Sequence, residues 1–190
     1  LASKPAPKKF AGSIFIVTGA GSGIGRGIAL DLAEKGATLV LADLDEKGLR
    51  DVEALFKESK FNRPLIVSGD QSDEKVVSQT VAETINNFGG FDGVVFSAGI
   101  AVTDSLKDLT LAKWNKGLAV NLTSSFLMTK AALSTLRTQN SGGSLVYIAS
   151  KNAFAPGAGF GGYSVSKAGM LQLMRIAALE GGAEKIRANA

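Results

Sequence analysis

Apolar residues along this chain keep two alternating rhythms. Short unbroken runs at residues 14–17, 38–42, 64–67 and 93–96 have the length of buried strands. Between them the apolar positions recur every three or four residues. Ile24, Ile28 and Leu32 line one face of a first helix that Gly36 ends, and Val77, Val81 and Ile85 line a third before Gly89. Strand and helix therefore alternate, which predicts an α/β domain with parallel strands joined by crossover helices. Residues 111–138 predict one long helix carrying Trp114, Leu118, Leu122 and Phe126 toward the core. The run 143–150, GSLVYIAS, predicts a strand, and residues 186–190 predict the beginning of a sixth, so that the sheet's last element is expected to be absent or very short.

The same patterning separates two candidate sites that look alike by spacing. The chain has two tyrosines, and each has a lysine four residues on and a serine thirteen back: Tyr163 with Lys167 and Ser150, Tyr147 with Lys151 and Ser134. On a strand, four residues at about 3.3 Å each would hold Tyr147 and Lys151 about 13 Å apart. Tyr163 instead opens YSVSKAGMLQLMRIAALEGG, a helical pattern with a glycine stop, where an i, i+4 pair sits roughly 5–6 Å apart on one face. Only Tyr163 and Lys167 are expected to act together.

Composition narrows the chemistry further. With 190 residues and 45% apolar content, the chain is one ordinary domain with a core. Zero cysteines and zero histidines remove thiolate chemistry, the commonest metal ligand and the commonest general base, and no metal site is expected. No apolar run approaches the ~18 residues a membrane helix needs, and the start LASKPAPKKF lacks a signal-peptide core, so a cytoplasmic protein with no membrane partner is expected. Three of the 21 basic residues, Lys4, Lys8 and Lys9, lie in residues 1–10, which read as a solvated tail or inter-domain linker. The remaining 18 nearly balance 17 acidic residues, which gives nucleic-acid binding no support.

The first apolar run leads into Thr18-Gly19-Ala20-Gly21-Ser22-Gly23-Ile24-Gly25 and then into the first helix. Glycines there permit a tight turn and let backbone N–H groups and the helix N-terminus approach a pyrophosphate. The plain alternative is a glycine-rich turn. Asp43 lies at the end of the second strand, where a carboxylate can accept both ribose hydroxyls of an adenosine and repel a 2′-phosphate. NAD is favoured over NADP on that ground. Asp45 is an alternative ligand, and Asp43 is an alternative cap for the next helix.

With the glycine loop, Asp43, Ser150, Tyr163 and Lys167 in this order, the chain resembles the classical short-chain dehydrogenase/reductase family over nearly all of residues 11–190. Residues 18–25 match TGxxxGxG, and Tyr163-Ser164-Val165-Ser166-Lys167 match YxxSK. The resemblance implies a Rossmann-type doubly wound parallel sheet of order 3-2-1-4-5-6, here with the final strand and substrate loop missing. It implies that Asp70, followed by Gln71, meets the adenine. Phe96-Ser97-Ala98-Gly99 stands where the family has Asn-Asn-Ala-Gly: Ala98 and Gly99 keep the close approach to the cofactor, while Ser97 has a shorter arm. Asn121 falls where the family places the helix asparagine of its catalytic tetrad. More narrowly, residues 97–100 and 148–153 resemble the dehydrogenase half of bifunctional rhamnulose-1-phosphate aldolase/alcohol dehydrogenases, which pair an N-terminal aldolase domain with oxidation of lactaldehyde.

The roles implied by the family suit these residue types. A phenol of pKa near 10 needs a nearby cation to serve as base at neutral pH, and Lys167 would supply it while holding the nicotinamide ribose. Ser150 would hydrogen-bond the substrate oxygen, and Asn121 would anchor a water linking Lys167 to solvent. Lys151 is either an anchor for an anionic substrate group or a solvated charge. The expected function is NAD-dependent oxidation of a secondary alcohol or hydroxy-aldehyde. The alternatives are an NAD(P)H-dependent carbonyl or sugar reductase, and a nucleotide-binding domain without turnover. A homo-oligomer is expected by family analogy alone.

Overall fold

The computed structural model describes residues 8–190. Six parallel strands, β1 (Ile14–Thr18), β2 (Thr38–Asp43), β3 (Leu65–Ser68), β4 (Gly93–Phe96), β5 (Gly143–Tyr147) and β6 (Ile186–Asn189), form one sheet of order β3-β2-β1-β4-β5-β6. The expectation of a missing final strand is not borne out. Ile186–Asn189 pairs in register with β5, from Gly143↔Ile186 to Val146↔Asn189. Its buried Ile186 and Ala188 alternate with exposed Arg187 and Asn189, the period of a half-covered strand.

Helices α1 (Gly23–Glu34) and α2 (Glu46–Glu58) cover one face of the sheet. The other face carries α3 (Glu74–Phe88), α5 (Ser124–Gln139) and α6 (Gly161–Gly181), with α4 (Leu111–Leu118) packed against α6. Strand alternation divides the core accordingly. Ile16, Val40, Val94 and Leu145 pack with Met128, Leu136 and Met170 on one side, while Val17, Leu39, Leu41 and Val95 pack with Ala29, Val52 and Phe56 on the other. Each fully buried side chain of this size contributes about 1.5–3 kcal/mol.

Four local expectations change. The face of α1 that meets the sheet is Gly25, Ala29 and Ala33, and Ile24 is 62% exposed. Small residues let α1 approach closely: a Cβ on Gly25 would lie 2.1 Å from the Gly19 carbonyl oxygen. The predicted helix over 111–138 is two helices joined by a π-helical turn, Ala119–Thr123. That wider turn rotates the buried face onto Gly117, Asn121, Ser125 and Met128, leaving Phe126 49% exposed. The strand predicted over 143–150 stops at Tyr147, and Ser150 instead caps a short 3₁₀ turn, Lys151–Ala153. Of the expected tail, residues 1–7 lie outside the described residues, whereas Phe10 packs edge-on against Phe15 and donates its N–H to the Lys35 carbonyl. No described helix is long and apolar enough to cross a membrane.

Candidate active site

β1 lies between β2 and β4, so the crossovers leave it in opposite directions and open a crevice at the strands' carboxyl ends. A cleft of about 650 Å³ occupies that place. Of the residues expected to hold a cofactor, it is lined by Gly19, Ser22, Gly23, Ile24, Gly25, Asp43, Asp70, Gln71, Ser97, Ala98 and Gly99. Thr18 and Gly21 stand behind this wall. Thr18 Oγ1 donates to the Val95 carbonyl and accepts the N–H groups of Ser97 and Ala98, tying the β1 turn to the segment after β4. Gly21 is shaped by Asp43: its N–H donates to Asp43 Oδ2 (2.9 Å).

The cleft's chemistry suits a dinucleotide. The N-terminus of α1 opens into it with no side-chain cap and no acidic residue in its first turn, leaving N–H groups for an anion. Asp73 and Thr110 cap α3 and α4. Gly23, at φ +52°, has open space where a Cβ would stand. Asp43 does not cap α2 with its side chain; its Oδ1 accepts the Asp45 N–H (2.9 Å) instead. Asp70 uses one oxygen, Oδ1, for the Ser72 N–H and hydroxyl. Gln71 is buried, and neither polar atom of its amide has a hydrogen-bond partner among the described residues. Leu44, Ile100, Lys116, Val120 and Ser124 also line the cleft. Leu44 and Ile100 follow Asp43 and Gly99 past the strand ends, whereas Lys116, Val120 and Ser124 are brought there by helix packing, which sequence spacing does not single out.

The four expected catalytic residues lie on neighbouring elements beyond Gly99. Lys167, 4% exposed on α6, donates to the Ile148 carbonyl just past β5 (2.7 Å). Its ammonium lies 3.4 Å from where a Cβ on Gly99 would stand, and 5.9 Å from the centre of the Tyr163 ring. Burial pulls the Lys167 pKa down to about 8. Ser150 Oγ accepts the Asn152 N–H (3.2 Å) at the start of the 3₁₀ turn, which packs against α6. Asn121 is fully buried, and its side chain is committed to protein partners: Oδ1 accepts the Ile100 N–H, and Nδ2 donates to Ile100 O and Ser166 Oγ. Its backbone carbonyl accepts the Ser125 hydroxyl (3.0 Å).

The rival tyrosine is unsuited to proton transfer. Tyr147 is stacked on Phe96 with centroids 4.1 Å apart, shares a hydrogen bond with Thr129 Oγ1, and has its pKa raised by burial to about 12. Lys151 is exposed on the turn after the strand.

A parallel sheet with its crevice at the β1/β4 crossover, bordered by a buried lysine and a neighbouring tyrosine, defines an oxidoreductase of the dinucleotide-binding type. The sequence profile described as short chain dehydrogenase matches residues 13–190, and the chain belongs to the short-chain dehydrogenase/reductase family. Levodione reductase of Leifsonia aquatica is 34% identical over 184 residues, covering 96% of this chain and 68% of that protein. The crystal structure of a levodione reductase superimposes with a TM-score of 0.92, covering 96% of this chain and 71% of that one. An NAD⁺-bound xylitol dehydrogenase does so with the same TM-score at 32% identity, covering 96% and 70%. The uncharacterized oxidoreductase YuxG of Bacillus subtilis is 31% identical over 186 residues, which are 97% of this chain and 27% of that protein.

Proposed function

We propose that this chain carries the cofactor cleft and catalytic residues of an NAD-dependent oxidoreductase acting on a secondary alcohol or hydroxy-aldehyde. The observation that carries the reading is the buried Lys167 ammonium, fixed beside Gly99 and one helical turn from Tyr163. Bound nicotinamide would supply the hydride acceptor. Tyr163 takes the hydroxyl proton, and Lys167 favours the phenolate that must form. Ser150 spends only its acceptor capacity on Asn152, so its own proton is available to the substrate oxygen. Asn121 holds Ile100 through its carboxamide; both Nδ2 hydrogens are taken, and Oδ1 keeps one lone pair with which it could accept from a water.

NAD is favoured because the Asp43 carboxylate, held at the cleft wall by the Gly21 and Asp45 N–H groups, sets like charge against a 2′-phosphate. Among the described residues that follow it on α2, Lys47 is paired with Asp51, and Arg50 with Glu46 and Glu53. Similarity to levodione reductase supports the reverse direction as a second reading, in which Tyr163 donates the proton. Lactaldehyde oxidation beside an N-terminal aldolase domain is the narrower proposal; YuxG, of which this chain spans 27%, has the length for such a further domain. Exposed Phe126 on α5 and Val165, Ile176 and Leu179 on α6 suit pairing with a second copy.

Calorimetric titration tests the cofactor reading. NAD should bind at least about tenfold more tightly than NADP, since a 2′-phosphate beside Asp43 sets like charges together. Gln71→Met should weaken NAD binding by about tenfold and stabilise the ligand-free protein by about 1 kcal/mol, because an orphaned amide that a bound base would satisfy has been removed. Equal affinity for the two dinucleotides would defeat the NAD preference, and binding of neither would defeat the cofactor assignment.

A further inference from the structure

Asn121 can clamp Ile100 in only one orientation of its carboxamide, because Oδ1 must meet the Ile100 N–H (2.7 Å) while Nδ2 meets the Ile100 carbonyl (2.9 Å). One hydrogen of Nδ2 is then left over in a fully buried site. Ser166, also fully buried, receives it at 2.9 Å. The serine is committed to accepting there, because its own proton goes to the Tyr163 carbonyl (2.7 Å). An unbroken chain of hydrogen bonds therefore runs from the segment after β4, through the π turn between α4 and α5, to the first turn of α6. It joins the cleft wall at Gly99 and Ile100 to the turn that carries Tyr163.

We propose that Ser166 is a positioning residue for the reaction: it fixes the Asn121 carboxamide and so holds residues 97–100 in register with Tyr163 and Lys167. Burial makes the effect directional. Removing the hydroxyl leaves an Asn121 donor without water or protein to receive it, and the carboxamide gains a reason to turn away from Ile100. The cleft wall and the catalytic turn then lose their fixed separation, to which hydride and proton transfer are sensitive. The consequence for turnover rests on the proposed function, but the clamp itself can be read in the protein without cofactor, so the two can fail separately.

Amide hydrogen exchange in ligand-free wild type, Ser166→Ala and Ser166→Cys supplies the test. In Ser166→Ala, exchange at the Ile100 amide should accelerate by about tenfold or more while the Val94 amide in β4 is unchanged. Ser166→Cys, close in shape but a weak acceptor, should behave like the alanine variant. In the full-length protein, kcat with NAD and a secondary alcohol should fall by about tenfold or more in both variants. An unchanged Ile100 rate would overturn the proposal, as would acceleration spread equally over β4. A cysteine variant indistinguishable from wild type would show that packing, not the hydrogen bond, is what Ser166 supplies.

Discussion

Lys167→Met should give a protein that is more stable than wild type at pH 7 and nearly inactive. Burial lowers the folded-state pKa of Lys167 from 10.5 to about 8, so the ammonium at neutral pH costs stability. At 1.36 kcal/mol per unit that cost is roughly 3 kcal/mol. The variant also strips the Ile148 carbonyl of its donor, which takes back about 1 kcal/mol. The net gain of about 2 kcal/mol corresponds to about 4–8 °C in Tm for a domain of this size. The sign with pH follows from proton counting. Between about pH 8 and 10.5 the unfolded chain holds a proton on this lysine that the folded protein has lost, so wild-type stability attributable to it rises with pH. The advantage of Lys167→Met is therefore full below about pH 8, vanishes before about pH 10.5, and is reversed above that by the lost bond to Ile148. Turnover should drop by at least about 100-fold throughout, as expected when the group that tunes a general base is removed. Thermal melts across this range check the first part. A variant less stable at pH 7 would mean that the ammonium is not a cost.

Asp43→Asn should collapse the preference for NAD over NADP by about 100-fold. Asp43 stands half-buried at the end of β2 with both oxygens already oriented by backbone, Oδ2 by the Gly21 N–H and Oδ1 by the Asp45 N–H. Those bonds fix the carboxylate plane at the cleft wall. Charge-assisted hydrogen bonds to ribose hydroxyls would each contribute about 1.5–3 kcal/mol, and neutralising the group weakens them while removing repulsion toward a 2′-phosphate. Because the amide keeps one oxygen, part of the loop geometry survives. The ratio of kcat/KM for the two dinucleotides measures the effect. An unchanged ratio would transfer the selecting role to Asp45, whose Oδ2 lies 2.8 Å from the position of a Gly48 Cβ.

What the chain reveals on reading depends on how local the determining interaction is. The βα alternation is legible because buried parallel strands are continuous apolar runs, and each of the first four begins and ends within a residue of its apolar run. The glycine loop and Asp43 are legible for a similar reason, since strand ends place them and strands are visible. The π turn is not, because counting apolar positions at three and four assumes an unbroken helix through Asn121. β5 ends three residues before the expected boundary because its neighbours run out, β4 at Phe96 opposite Tyr147 and β6 at Asn189 opposite Val146, which apolarity alone does not register. The clamp of Ile100, Asn121 and Ser166 is least visible of all. Its partners lie 21 and 45 residues apart, and only the packed fold brings them together. Tyr147 is instructive in the other direction: helix against strand separates it correctly from Tyr163, yet what disqualifies it is burial against Phe96 and the bond to Thr129.

Proton acceptance by Tyr163 is tested most directly by the rate of nicotinamide reduction in a single turnover by the full-length protein carrying Tyr163→Phe, saturated with NAD and supplied with a secondary alcohol that wild type oxidises. The rate should lie at least about 1000-fold below wild type with NAD affinity unchanged within about threefold, since only the proton acceptor has been removed. A rate within a few-fold of wild type would contradict it.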